Sequence, residues 1–115
     1  MKQVTIYHNQ SCSKSLKVLE LLTEAGYEPE VINYLTDPPG LDQLKALGLP
    51  AKDLIRQTDP LYAELGLPDG LEDQAIYETL VKYPALIQRP IVVTGSQALI
   101  CRPPERVWEL VAPHV

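Results

Sequence analysis

Cys12 stands in the string His8-Asn9-Gln10-Ser11-Cys12-Ser13-Lys14-Ser15, between a short apolar run, Val4 to Tyr7, and an amphipathic stretch beginning near Ser13. A thiol in the first turn of a helix faces unpaired backbone N–H groups and the positive end of the helix dipole, and both favour thiolate over thiol. In such a setting its pKa falls from about 8.5 into the range of roughly 3.5 to 7.5. A histidine precedes the thiol, a lysine follows it, and Ser15 occupies the position where a C-x-x-C redox pair would have its second cysteine. Cys12 therefore reads as a nucleophile without a built-in resolving partner. The competing reading is a buried helix-start cysteine with no chemistry, since free cysteine is among the most buried residue types. His8 either orients or acidifies Cys12 through its charge, or only ends a strand.

The chain has four arginines, and three of them stand at suggestive places. Ile91-Val92-Val93-Thr94 and Gln97-Ala98-Leu99-Ile100-Cys101 are two β-like runs around Gly95-Ser96, a hairpin signal. A symmetric turn there sets Thr94 opposite Gln97, Ile91 opposite Ile100, and Arg89 opposite Arg102. Like charges directly opposite one another destabilise a sheet. Both arginines also precede a proline, where the ladder is already interrupted. Something anionic between them would turn the repulsion into a gain, and guanidinium forks are suited to gripping oxyanions. Arg56 ends the turn Asp53-Leu54-Ile55-Arg56. The plainer alternative makes each arginine a solvated charge or a partner of one of the fifteen acids. The same alternation points Cys101 to the face opposite Arg102, as a core residue, with a resolving thiol as the other reading.

The elements that must position these groups follow from periodicity. Val4 to Tyr7 is a short strand, Ser13 to Ala25 a helix ended by Gly26, and Glu30 to Tyr34 a second strand, giving a right-handed β-α-β unit with parallel strands. From Pro38-Pro39-Gly40 to Pro84 the spacing predicts short helices at Leu41 to Leu47, Ala51 to Ile55, Leu61 to Leu65 and Glu72 to Lys82, separated by prolines. Each is too short to bury its own face, so residues 40–84 read as a helical insert within a single domain, 1–115. After the hairpin, Pro103-Pro104 opens a final helix through Val107, Trp108 and Val111. The fold class is α/β, a four-stranded mixed sheet of β-α-β then β-β-α, with thioredoxin-like topology leading.

Composition narrows the function. At 115 residues the chain can bury a core unaided, and its two cysteines are too few for a disulfide scaffold. The N-terminus carries neither a signal-peptide apolar region nor a membrane span, so the expected setting is a reducing cytoplasm, away from any membrane. The net charge of -5 argues against nucleic acid as a partner. Neither histidine, His8 or His114, forms a metal-ligand spacing with the cysteines, so no metal site is expected.

Taken together, Tyr7-His8-Asn9 with Cys12-Ser13-Lys14-Ser15, Tyr34-Leu35 with Pro38-Pro39, Leu54-Ile55-Arg56, and Tyr62 with Leu65-Gly66-Leu67 form an ordered set that continues through Pro84, Leu86-Ile87, Arg89-Pro90-Ile91-Val92-Val93 and Cys101-Arg102-Pro103. The set resembles the glutaredoxin-coupled arsenate reductase family over nearly the whole chain. The resemblance implies a thioredoxin-like fold with a helical insert and a cis peptide before Pro90. It also implies Cys12 as nucleophile, His8 as the group that lowers its pKa, and Arg56, Arg89 and Arg102 as an oxyanion pocket. The implied reaction takes arsenate to arsenite through a covalent adduct at Cys12, with no bound cofactor, glutathione as co-substrate and glutaredoxin as electron donor. The missing internal resolving cysteine fits an external thiol. Two other readings share these features: a glutathione-linked thiol oxidoreductase acting on another substrate, and a non-enzymatic redox regulator that binds RNA polymerase. Ser15 counts against the last, whose switch is a C-x-x-C.

Overall fold

Four short strands pair into one mixed sheet in the order β2-β1-β3-β4. They belong to a computed structural model describing residues 3–68, 70–95 and 97–111. Ser96 of the expected turn and His114 lie outside the described residues. Strand β1 (Val4–His8) leads through helix α1 (Ser13–Glu24) to β2 (Glu30–Asn33). Helices α2 (Leu41–Ala46), α3 (Ala51–Leu54), α4 (Pro60–Glu64) and α5 (Asp73–Lys82) follow, then a 3₁₀ turn at Pro84–Leu86, β3 (Ile91–Thr94) and β4 (Gln97–Ile100). β1 and β2 are parallel, with Ile6 opposite Val31, whereas β1–β3 and β3–β4 are antiparallel.

Helix α1 buries Ser15, Val18 and Leu22, a spacing that lies along one face, and it ends where Gly26 takes φ +91°. The Tyr27 N–H donates to the Leu22 carbonyl and the Gly26 N–H to that of Thr23, both at 3.0 Å, the paired bonds of a Schellman stop. In the hairpin Ile91 pairs with Ile100 and Thr94 with Gln97, the register expected from a symmetric turn. Gly95 at φ +54° supplies the left-handed residue that a tight hairpin turn requires.

Alternation along the strands divides the core between the two faces of the sheet. Val4, Ile6 and Val92 pack with Val18, Leu22, Cys101, Val107 and Val111 on the α1 face. Tyr7 and Ile91 pack with Tyr34, Leu44, Leu54, Ile76, Leu80 and Leu86 on the insert face. The insert is pinned beside the hairpin by an antiparallel bridge between Ile55 and Ile87. There the Arg56 N–H donates to Leu86 O at 2.8 Å and the Gln88 N–H to Leu54 O at 2.7 Å.

Three local features differ from expectation. The segment after Pro103 is a 3₁₀ helix, Pro104–Glu109, not an α-helix. Two adjacent prolines remove N–H donors from its start, and Arg106 and Leu110 donate to Pro103 and Val107 in the tighter pattern. β2 stops at Asn33 because its carbonyl is taken by the N–H groups of Thr36 and Asp37, at 3.1 and 2.8 Å, which turn the chain through Tyr34 and Leu35. The Arg102–Pro103 peptide is cis as well as Arg89–Pro90. Among the described residues no helix is long and apolar enough to cross a membrane.

Candidate active site

Cys12 is the N-cap of α1, extended at φ −99° and ψ 117°, one position before the helix proper. Its N–H donates to Asn9 O and its carbonyl accepts from the Leu16 N–H, each at 3.0 Å, so the turn that presents the thiol is closed on both sides. The sulfur is part-exposed. Burial alone would push its pKa up. The Ser15 backbone N–H, the positively charged Arg89 guanidinium and the Lys14 backbone N–H outweigh burial and bring the thiol below its ordinary value. Its alkylation rate plotted against pH should therefore show a midpoint clearly below the roughly 8.5 of a free cysteine. A midpoint at or above that value removes Cys12 as the nucleophile.

His8 follows Val4 and Ile6 on the α1 face of β1, and that face delivers it to α1. It is buried, and its Nδ1 lies 2.5 Å from Ser15 Oγ. Burial lowers the His8 pKa and so favours the uncharged ring. The lowered Cys12 pKa traces to backbone N–H groups and Arg89, and the link from His8 to the thiol is the hydrogen bond to Ser15, not a positive charge. Ser15 is fully buried, and its Oγ also accepts the Asn9 N–H at 3.1 Å. The Asn9 side chain accepts from the Ser11 N–H at 2.9 Å and donates to the Tyr34 hydroxyl at 3.1 Å. Buried polar groups held in this way give the thiol loop one conformation. In the sequence Ser15 marked only the missing resolving cysteine, and Asn9 carried no assignment of its own. A buried polar brace has no periodicity to betray it.

The three arginines come from separate elements. Cys101 N–H donates to Pro90 O at 3.0 Å, extending the hairpin pairing past Ile91 and Ile100. Arg89 and Arg102 come next to each other at that end. Arg102 Nη1 donates to Arg89 O at 3.0 Å, and Arg89 Nη1 to Ala85 O at 3.1 Å. Arg89 Nε is buried without a hydrogen-bond partner among the described residues. Arg56 arrives through the Ile55–Ile87 bridge. Burial and the positive charges of Arg89 and Arg102 depress its pKa, and Asp59 offsets them in part. The buried Tyr34 hydroxyl is pushed up by burial while sensing Arg89, Cys12 and Arg56 together. Thiol, phenol and arginines thus share one half-buried neighbourhood. Guanidinium groups there can hold a tetrahedral oxyanion, beside a sulfur whose lowered pKa favours the nucleophilic thiolate.

Cys101 lies in the α1-face core, fully buried, and burial pushes its thiol up to about 12. A thiol so placed is un-ionised and shielded. Cys101→Ser should keep the turnover of the folded protein while lowering stability by about 1–3 kcal/mol, the cost of burying a hydroxyl with imperfect partners. Loss of turnover in a folded variant would show that the hairpin alternation misplaces this residue. Among the described residues no group of three or more His, Cys, Asp or Glu side chains could hold a metal ion.

Known proteins carry the same arrangement of elements. In Escherichia coli K12 the uncharacterized protein YfgD is 49% identical over 116 residues, spanning 96% of this chain and 98% of that one. An arsenate reductase of the same organism is 40% identical over 115 residues, covering 96% of this chain and 82% of its own length. The solved structure of arsenate reductase from Vibrio cholerae superposes with a TM-score of 0.88 at 42% identity, over 96% of this chain and 98% of that one. The ArsC family matches residues 7–110, which contain His8, Cys12, Arg56, Arg89 and Arg102. With its thioredoxin-like sheet and near-complete coverage, the chain belongs to the ArsC family.

Proposed function

We propose that this protein reduces arsenate to arsenite at Cys12 in a reducing cytoplasm, drawing electrons from glutathione and glutaredoxin. The observation that carries the reading is a thiol whose pKa is lowered in part by Arg89, in the same neighbourhood as Arg56 and Arg102. Arsenate is a tetrahedral oxyanion, and the arsenate reductases of the same family lend the choice of anion.

The arginines hold the arsenate oxygens, and the Cys12 thiolate attacks arsenic. A sulfur–arsenic bond forms and one oxygen leaves as water after protonation. The arginines stabilise the charge that develops on the remaining oxygens. Glutathione then adds to arsenic through its thiolate, displacing a second oxygen as water. A glutaredoxin thiolate attacks the glutathione sulfur, forming a disulfide. The electron pair of the broken sulfur–arsenic bond stays on arsenic, which passes from As(V) to As(III). Hydrolysis of the remaining Cys12–arsenic bond releases arsenite and restores the thiolate. The full burial of Cys101 and the serine at position 15 leave reduction to external thiols.

The test is arsenate-dependent NADPH oxidation in the presence of glutathione, glutathione reductase and a glutaredoxin. Omission of either glutathione or glutaredoxin should stop it. Arsenate-independent turnover of a glutathione mixed disulfide, with no response to arsenate, would instead assign the thiol to a glutathione-linked oxidoreductase.

A further inference from the structure

Among the groups that set the Arg56 charge environment there is one carboxylate, and it is fixed in place. Asp59 caps α4: its Oδ1 accepts the Leu61 N–H at 2.9 Å, and its own N–H donates to Arg56 O at 3.2 Å. The other oxygen, Oδ2, stands 3.8 Å from Arg56 Nη1, with both side chains about one-fifth exposed. The cap and the turn hold the carboxylate, and the Ile55–Ile87 bridge holds the backbone of Arg56. The pair therefore meets at the pocket without either partner being a free surface charge.

We infer that Asp59 is a specificity-determining residue that sets the net charge of the oxyanion pocket and so limits how tightly it holds doubly charged tetrahedral anions. The inference rests on the oxyanion site of the proposed function but not on any redox step. Three guanidinium groups alone would hold every abundant dianion, and a site filled by a spectator is closed to substrate. One fixed carboxylate weakens all anions, in proportion to their charge. It also gives the Arg56 guanidinium a fixed neighbour when the pocket holds no anion.

The experiment measures sulfate and perchlorate binding to the full chain by calorimetry at matched ionic strength, for the wild type, Asp59→Asn and Asp59→Ser. Asparagine keeps the shape and the cap without the charge, and serine keeps a capping oxygen while withdrawing from Arg56. Sulfate affinity should rise about three- to tenfold in Asp59→Asn, and the logarithm of that gain should be about twice the logarithm of the gain for singly charged perchlorate, because the Coulomb term scales with ligand charge. Serine should show the same ordering. Equal gains for the two anions would mean that Arg56 has only been repositioned, and unchanged or weaker sulfate binding would mean that Asp59 supports the site; either result overturns the inference. A wild type that binds neither anion overturns it together with the oxyanion pocket. Arsenate turnover is scored separately, so an inactive reductase that still shows the charge-scaled pattern would lose the proposed reaction and keep this assignment.

Discussion

Cys12→Ser reduces arsenate no faster than the glutathione mixture without protein, a loss of at least roughly 10⁴-fold, the scale on which removing a covalent nucleophile acts. The reason is chemical. A serine hydroxyl remains protonated at a position where the Ser15 and Lys14 N–H groups and Arg89 lower the thiol's pKa. The same variant should stay folded, because Cys12 is a part-exposed N-cap and serine is a preferred capping residue. Its melting temperature should still rise with sulfate, because the arginines are intact. Turnover above about one hundredth of wild type would exclude the covalent route, since no other ionisable thiol is available among the described residues.

Arg89→Leu should have the second-largest effect, because Arg89 serves the thiol and the anion together. Removing it takes away a positive group that lowers the Cys12 pKa, and it removes one arm of the proposed pocket. The fall in kcat/KM should be about 10²- to 10³-fold, the usual cost of losing one preorganised charge-stabilising donor. The alkylation midpoint of Cys12 should rise in the same protein. In the wild type, sulfate at about 100 times its Kd should add roughly 2.7 kcal/mol of stability beyond a matched chloride series, and Arg89→Leu should lose most of that response. The unliganded variant should melt no lower than wild type, because leucine removes a buried Nε without a partner and the repulsion from Arg102. A full sulfate response in both Arg89→Leu and Arg102→Leu would move the anion elsewhere and leave the thiol argument standing alone.

Local rules carried the sequence reading a long way. The turn chemistry of Gly95-Ser96 fixed the hairpin register, and with it the adjacency of Arg89 and Arg102 and the opposite facing of Cys101, because a period of two leaves no freedom once one pair is set. Proline spacing located the insert helices to within about a residue. Where local rules compete, the reading slipped. The final segment has a helical apolar pattern, yet missing N–H donors tighten it into a 3₁₀ helix. Arg56 had no local mark beyond ending a turn. It meets Arg89 through the Ile55–Ile87 bridge, a contact between distant parts of the chain that no window on the sequence contains. For His8 the sequence leaves orienting or acidifying Cys12 and merely ending a strand all open, because its burial and its bond to Ser15 depend on the whole fold.

The split of the core between the two faces of the sheet has a consequence for how this enzyme scaffold can diverge. His8 and Ser15 are bonded to each other beside α1 and Arg56 to Asp59 within the insert; the Arg89–Arg102 end of the hairpin and the Asn9 side chain, which reaches Tyr34, join the two. Exchanging the insert with that of a relative would change which anion is gripped while leaving the ionisation of the sulfur nearly untouched. Changes on opposite faces should then combine additively in a graft, to within about 0.5 kcal/mol where they share no partner. Substrate range and nucleophile strength become two traits that can be inherited separately, with Arg89 as the joint that a successful chimera has to preserve.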